Sequence, residues 1–134
     1  MSSPKLDSDV CALLRNQLDS FEKLELLSAL RAAGRPMSTS EIEIACRFAA
    51  DTVGEVLVSL TELNVIERDE SGSHFRVTAA AQGTAFETLM SVYEDDRSII
   101  LSTLSGFAME RIRGMAARAF AGAFVVRKRG ENDG

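Results

Sequence analysis

Apolar residues recur along most of this chain with a helical period. Val10, Leu13, Leu14 and Leu18 fall at i, i+3, i+4 and i+8 and predict a helix beginning near Asp9. The eight residues before it, MSSPKLDS, carry no period and read as a loose lead-in. A second helix is predicted after Ser20, a good N-cap, with Phe21, Leu24, Leu27, Ala29 and Leu30 as its apolar set. Lys23 stands where a complete capping box would have Glu, and Gly34 followed by Pro36 ends the helix. Thr39 or Ser40 is the expected cap of a short helix whose first turn carries Glu41 and Glu43, at the positive end of the helix dipole. That helix is expected to turn Ile42, Ala45 and Cys46 inward, with Ile44 or Phe48 beside them.

A break at residues 49–51 precedes the helical run DTVGEVLVSLTELN, which Asn64 closes. Val65–Arg68 and HFRVT then read as two short strands around the turn DESGS, in which Ser71, Gly72 and Ser73 form the tip. Beyond Thr78 the composition shifts. AAAQGTAFETLMSVY is helical, with Phe86, Leu89, Met90 and Tyr93 as its stripe. Asp95 or Asp96 caps the run RSIILSTLSGFAMERIRGMAARAFAGAFVV, interrupted by Gly106, Gly114 and Gly122, so two or three helices are expected after the hairpin. RKRGENDG reads as a frayed tail. The expected organisation is a lead-in and helix over 1–19, a compact unit over 20–78, a helical region over 79–126 and a basic, then polar tail over 127–134.

Helix, helix, turn, helix, hairpin is the order within LELLSALRAAGRPMSTSEIEIACRFAADTVGEVLVSLTELNVIERDESGSHFRVT. In this the chain resembles the winged helix-turn-helix transcription regulators, most closely the MarR type, over about residues 20–78. Where that type usually ends its third helix with "L…GLV.R", this sequence has Leu63-Asn64-Val65-Ile66-Glu67-Arg68. Asn suits the position because it tolerates the left-handed conformation that glycine supplies there. The resemblance implies a mostly α fold: three helices and a two-stranded wing, with additional flanking N- and C-terminal helices. It also implies DNA reading by the outward face of the third helix of the unit, and a homodimer built from flanking helices.

The face in question follows from about 100° per residue. Val53, Val56, Leu57, Leu60 and Leu63 cluster on the core side, so Asp51, Glu55, Val58, Ser59 and Glu62 point outward. Three carboxylates with no cation among them oppose the dense negative charge of a duplex, although a carboxylate can accept from a cytosine amino group. A solvated face, a protein-binding face and a DNA-reading face are the three readings of this surface. In the wing, Arg68, His74 and Arg76 are candidate phosphate contacts, but Glu67, Asp69 and Glu70 sit beside them.

Charge is unevenly spread. The 134 residues carry 15 Lys and Arg against 20 Asp and Glu, a net charge of −5. Residues 1–78 hold 8 basic and 13 acidic side chains, and residues 79–134 hold 7 of each. Arg111, Arg113, Arg118, Arg127, Lys128 and Arg129 fall within nineteen residues that contain no acid. This stretch reads as a solvated cationic end or as a contact for an anionic partner, nucleic acid or acidic protein. Its neighbours Ile99, Ile100, Leu104, Phe107, Ile112, Met115, Phe120 and Phe124 are too many apolar groups for a lone surface helix. They are the candidate dimerisation residues, or else fold back on the compact unit.

Catalytic chemistry finds no support. No glycine-rich phosphate loop follows a strand, no nucleophile–base pair has a recognisable setting, and Glu94-Asp95-Asp96 reads as a helix start. Cys11, Cys46 and the single His74 are too scattered for a metal site, and no cofactor is implied. Both thiols are expected free in a reducing cytoplasm, and no apolar run is long enough to span a bilayer. The expectation is therefore a non-enzymatic regulator related to transcription, working mainly through protein contacts because of the acidic outward face. The alternative is a MarR-like DNA-binding regulator using Arg68, His74, Arg76 and the cations at 127–129.

Overall fold

In a computed structural model the backbone is described for residues 6–79 and 83–133, with side chains described up to residue 119. The elements are α1 (Ser8–Asn16), α2 (Phe21–Ala33), β1 (Met37–Ser38), α3 (Thr39–Cys46), α4 (Ala50–Glu62), β2 (Ile66–Arg68), β3 (His74–Val77), α5 (Thr84–Asp95) and α6 (Arg97–Asp133). This is the mostly α winged helix expected, with one helix before the unit and two after it.

Local chemistry sets the boundaries. Asp7 caps α1 by accepting from the Val10 N–H at 2.8 Å. The Ser20 hydroxyl accepts from the Lys23 N–H, and α2 ends at Gly34 in the left-handed conformation, φ 63°, as expected. The cap of α3 is Ser38, not Thr39 or Ser40. Its hydroxyl accepts from the Glu41 N–H at 3.2 Å while the Glu41 carboxylate accepts from the Ser38 N–H at 2.9 Å, a complete capping box. Replacing Ser38 with Ala should lower stability by about 0.5–2 kcal/mol in urea denaturation.

Two expectations about facing and one about continuity need correction. In α2, Leu26 is fully buried, whereas Phe21 is 39% exposed and Ala29 half-buried. The cause is that α2 is contacted by α3, α4, β3 and α5, so its buried arc is wider than one stripe. Phe21 instead packs edge-on against Phe48. In α3, Ile42 is buried and Cys46 half-buried, but Ala45 is exposed and Ile44 is 79% exposed. Two residues on from Ile42, Ile44 lies on the far side of an eight-residue helix. In α6, Gly106 and Gly114 leave no break. Each costs about 1 kcal/mol relative to Ala, which the surrounding Ala, Met, Leu and Arg residues absorb.

The hairpin is anchored by Asn64, at φ 60°, which turns the chain after α4 so that Val65 and Ile66 return to the core. The Thr78 hydroxyl donates to the Asn64 carbonyl at 2.7 Å and ties the far end of the hairpin to the same turn. The sheet has a third strand that the sequence reading lacked: β1 pairs antiparallel with β3, giving the order β1-β3-β2. One apolar core runs from the winged helix into the flanking helices, through Leu24, Leu27, Leu60 and Ile66 to Leu89, Tyr93 and Ile100. The α5 stripe Phe86, Leu89, Met90 and Tyr93 is buried throughout.

Candidate nucleic-acid interface

The geometry of α4 follows from its inner face. Val53, Val56, Leu57 and Leu60 are buried against α2, α3 and β2, which fixes the rotation of the helix. Asp51, Glu55 and Glu62 are consequently exposed, Val58 is 59% exposed, and Ser59 is half-buried. None of the three carboxylates makes an ion pair among the described residues. Between α4 and the wing lies a groove of about 630 Å³, lined by Gly54, Leu57, Val58, Thr61, Arg68 and Phe75 among others. The outward face is thus a carboxylate ridge beside a groove of mixed lining, where Leu57, Val58 and Phe75 stand with Thr39, Thr61, Glu62, Arg68 and Ser73.

The candidate phosphate contacts of the wing are largely occupied. Arg76 pairs with Glu67 at 3.2 Å and with Glu70 at 3.3 Å. His74 shares a hydrogen bond with the Ser73 hydroxyl at 2.9 Å, and its other ring nitrogen lies 3.9 Å from Glu41. Arg68 donates to the Gly72 carbonyl at 2.8 Å and lays its guanidinium 4.9 Å from the centre of the Phe75 ring. Its charge has no carboxylate partner among the described residues, so Arg68 is the wing group best placed for a phosphate. A further exposed cation escaped the sequence reading. Arg47 caps α3 in the left-handed conformation at φ 60°, in the turn that leads to α4. A lone Arg inside a turn gave no pattern to find it by. Over residues 39–78 the count is eight carboxylates against Arg47, Arg68 and Arg76.

At the base of the wing, Arg35 and Glu41 form an ion pair. The Arg35 guanidinium, 2.6 Å from Glu41, together with the Ser38 N–H holds the Glu41 carboxyl at about 2, well below the usual carboxylate range. A lowered pKa means that the pair stabilises fully above the ordinary carboxylate pKa and is lost as pH falls toward about 2. In acid titration of unfolding, Glu41→Gln should therefore flatten part of the wild-type loss of stability between about pH 4.5 and 2.

The winged helix is fastened to the flanking helices by side chains not singled out from sequence. Glu25 of α2, 14% exposed, accepts from the Tyr93 hydroxyl at 2.5 Å and pairs with Arg97 at 2.9 Å. Burial and then Glu25 push the Tyr93 phenol up from its ordinary value. Arg31 bridges to Glu87 at 3.1 Å and Glu94 at 2.9 Å. Glu94 and Asp95 thus close α5 rather than start a helix, and Asp96 caps α6 by accepting from the Ser98 N–H. A cavity of about 680 Å³ lies at this junction, and its arginines, Arg31, Arg35 and Arg76, are each paired with a carboxylate. Burial pushes the Cys46 thiol up to about 11, with Glu25 adding to it, so this cysteine is a poor nucleophile at neutral pH. Both cysteines are free.

The candidate dimerisation residues divide. Ile100 is fully buried and Phe107 is 8% exposed, packed within the chain where α6 meets α5 and α1; these two are unavailable to a partner. Arg15 lies 4.0 Å over the Phe107 ring. Ile99 and Leu104 are half-buried, while Ile112 and Met115 are 58% and 62% exposed, with Met109 beside them at 48%. The side chains of Phe120, Phe124, Arg127, Lys128 and Arg129 lie outside the described residues. Arg111, Arg113 and Arg118 are exposed and make no ion pair among the described residues. No group of residues suited to a metal ion and no helix long and apolar enough to cross a membrane occurs among the described residues.

No family profile matches the sequence, and no similar sequence is found among characterised proteins. Solved structures do match. MepR, a transcription regulator of the Staphylococcus aureus multidrug efflux pump MepA, superposes with a TM-score of 0.51 at 17% identity, over 86% of this chain and 88% of that one. A point mutant of the same S. aureus protein gives a TM-score of 0.50 at 17% identity, over 85% and 87% of the two chains. At this identity the likeness concerns the fold, and it extends beyond the winged helix into the flanking helices. The chain shares the winged-helix fold of MepR.

Proposed function

We propose that the protein is a non-enzymatic transcription regulator of MarR-like type, present in the cytoplasm as a homodimer and acting on duplex DNA. The observation that supports this is the extent of the likeness to MepR, which covers 86% of this chain and therefore more than the winged helix alone. It favours the DNA-binding alternative over action mainly through protein contacts. On this reading the phosphate contacts come from Arg47 in the turn before α4, from Arg68 of the wing and from the cations of α6. Arg76 and His74 contribute only after release from Glu67, Glu70 and Glu41. A gel-shift series tests it, with duplexes from the region upstream of the gene against random duplex of equal length. Selective binding by roughly tenfold or more, weakening as salt rises, is expected. Equal binding to both duplexes, or none at about 10 µM protein, would contradict the proposal.

One observation favours a second reading, protein docking through α4: the unpaired Asp51, Glu55 and Glu62 beside the exposed Val58. Such a ridge repels a duplex and attracts a cationic protein surface.

A further inference from the structure

We infer that Arg31 is a positioning residue for duplex binding: it sets the angle at which the winged helix stands on the flanking helices, and it does not touch DNA itself. This rests on the DNA-binding reading and names what aims the reading surface. Arg31 lies in the last turn of α2, with 21% of its side chain exposed, and its fork is engaged by α5. Nη1 donates to both oxygens of Glu87 at 3.1 Å. Nε donates to Glu94 at 2.9 Å, and Nη2 donates to the same carboxylate at 3.4 Å. All three nitrogens of the guanidinium are thereby committed to carboxylates.

The surroundings of this contact give it leverage. The winged helix meets α5 chiefly through α2, and the two helices share the apolar core that includes Leu24, Leu27, Leu89 and Tyr93. Beside that packing lies the cavity of about 680 Å³, to which β3 contributes Arg76 and Val77 and α5 contributes Glu87 and Glu94. Of the three arginines lining it, Arg35 and Arg76 pair within the winged helix among the described residues, whereas Arg31 reaches across to α5. Apolar packing is non-directional and lets α2 rock toward the open space. A planar fork held by two carboxylates about two helical turns apart is directional. Glu25, bonded to Tyr93 and Arg97, fixes one point of α2, and Arg31 fixes a second, which stops rotation about the first. Because α2 also packs against α3, α4 and β3, the α4 face and the wing take their direction from it. Without Arg31 the productive orientation becomes one of several, and the apparent affinity for a duplex falls with the fraction of molecules that hold it.

The test is fluorescence anisotropy of the full chain on an upstream duplex, at salt from about 0.1 to 0.3 M. The first variant is Glu87→Gln with Glu94→Gln; these side chains are 47% and 35% exposed, so the exchange should keep the circular dichroism of the wild type. Loss of two negative charges would by itself raise the affinity for a polyanion. The positioning role predicts the opposite sign, with duplex binding weaker by about threefold or more. Arg31→Gln should weaken binding at least as much. Its slope of log affinity against log salt should equal that of the wild type, because no phosphate contact has been lost. Arg31→Lys, which keeps the charge but cannot fork, should fall between the two. Thermal melts identify an Arg31 variant that has lost its fold, and the exchange at the two glutamates then decides alone. If that exchange leaves binding as tight as in the wild type or tighter, the inference is overturned and the DNA-binding reading stands. So too if the Arg31→Gln slope is lower by about one, which would make Arg31 a phosphate contact. Absence of duplex binding by the wild type at about 10 µM overturns both.

Discussion

Leu60→Ala is expected to lower the unfolding free energy by about 2–5 kcal/mol, the range for a deep leucine truncation that leaves a cavity. Leu60 is fully buried at the centre of the inner face of α4, where that helix meets α2, α3 and β2. Single domains of this size are stable by only about 5–15 kcal/mol, so the loss is a large share of the total. Leu57→Ala should fall nearer the low end, because Leu57 also lines the groove beside the wing and part of the vacated space is open to water. Urea denaturation followed by circular dichroism reads the effect as a lower midpoint at unchanged slope. A loss below about 0.5 kcal/mol for Leu60 would put α4 in a different rotation and remove the basis for placing Asp51, Glu55 and Glu62 outward.

Much of the fold was legible because its signals are local or periodic. The α5 stripe, the Ser20 cap, the Gly34 stop and the left-handed Asn64 turn each follow from a few neighbouring residues, and the structure has all of them. Errors arose where packing at a distance decides. A two-residue strand such as β1 has no period and exists only because β3 offers it an edge. Leu26 lay off the predicted stripe because one sequence cannot say that α2 will be enclosed on two sides. The α6 glycines read as interruptions because their cost is local, while the helix is held by α5 and α1 packing on its first turns. The Glu25–Tyr93–Arg97 network joins residues about seventy positions apart and left no spacing to recognise.

The interface was legible in part for the same reason. Helical phase alone placed the carboxylates of α4 outward and its valines and leucines inward. It did not show that Glu67 and Glu70 occupy Arg76, or that Arg68 is held along Phe75, since those contacts depend on strand register. Nor did it separate Ile100 and Phe107, spent inside the chain, from Ile112 and Met115, which are exposed. The likeness to MepR bears on the backbone, whereas the charge of the outward face belongs to this sequence.

The largest functional effect expected is a gain. Glu55 and Glu62 lie on the surface that would enter a major groove, and there they face phosphates at close range with little intervening salt. Exchanging both for Gln keeps size and hydrogen-bonding capacity while removing two negative charges. The decisive measurement is fluorescence anisotropy on one upstream duplex at about 0.15 M salt, wild type against Glu55→Gln with Glu62→Gln. The account of a DNA-contacting winged helix restrained by its own carboxylates predicts measurable wild-type binding and an affinity at least about tenfold higher in the double variant, with the gap widening at lower salt. Absence of duplex binding by both proteins at about 10 µM would contradict it and leave protein docking as the function of this face.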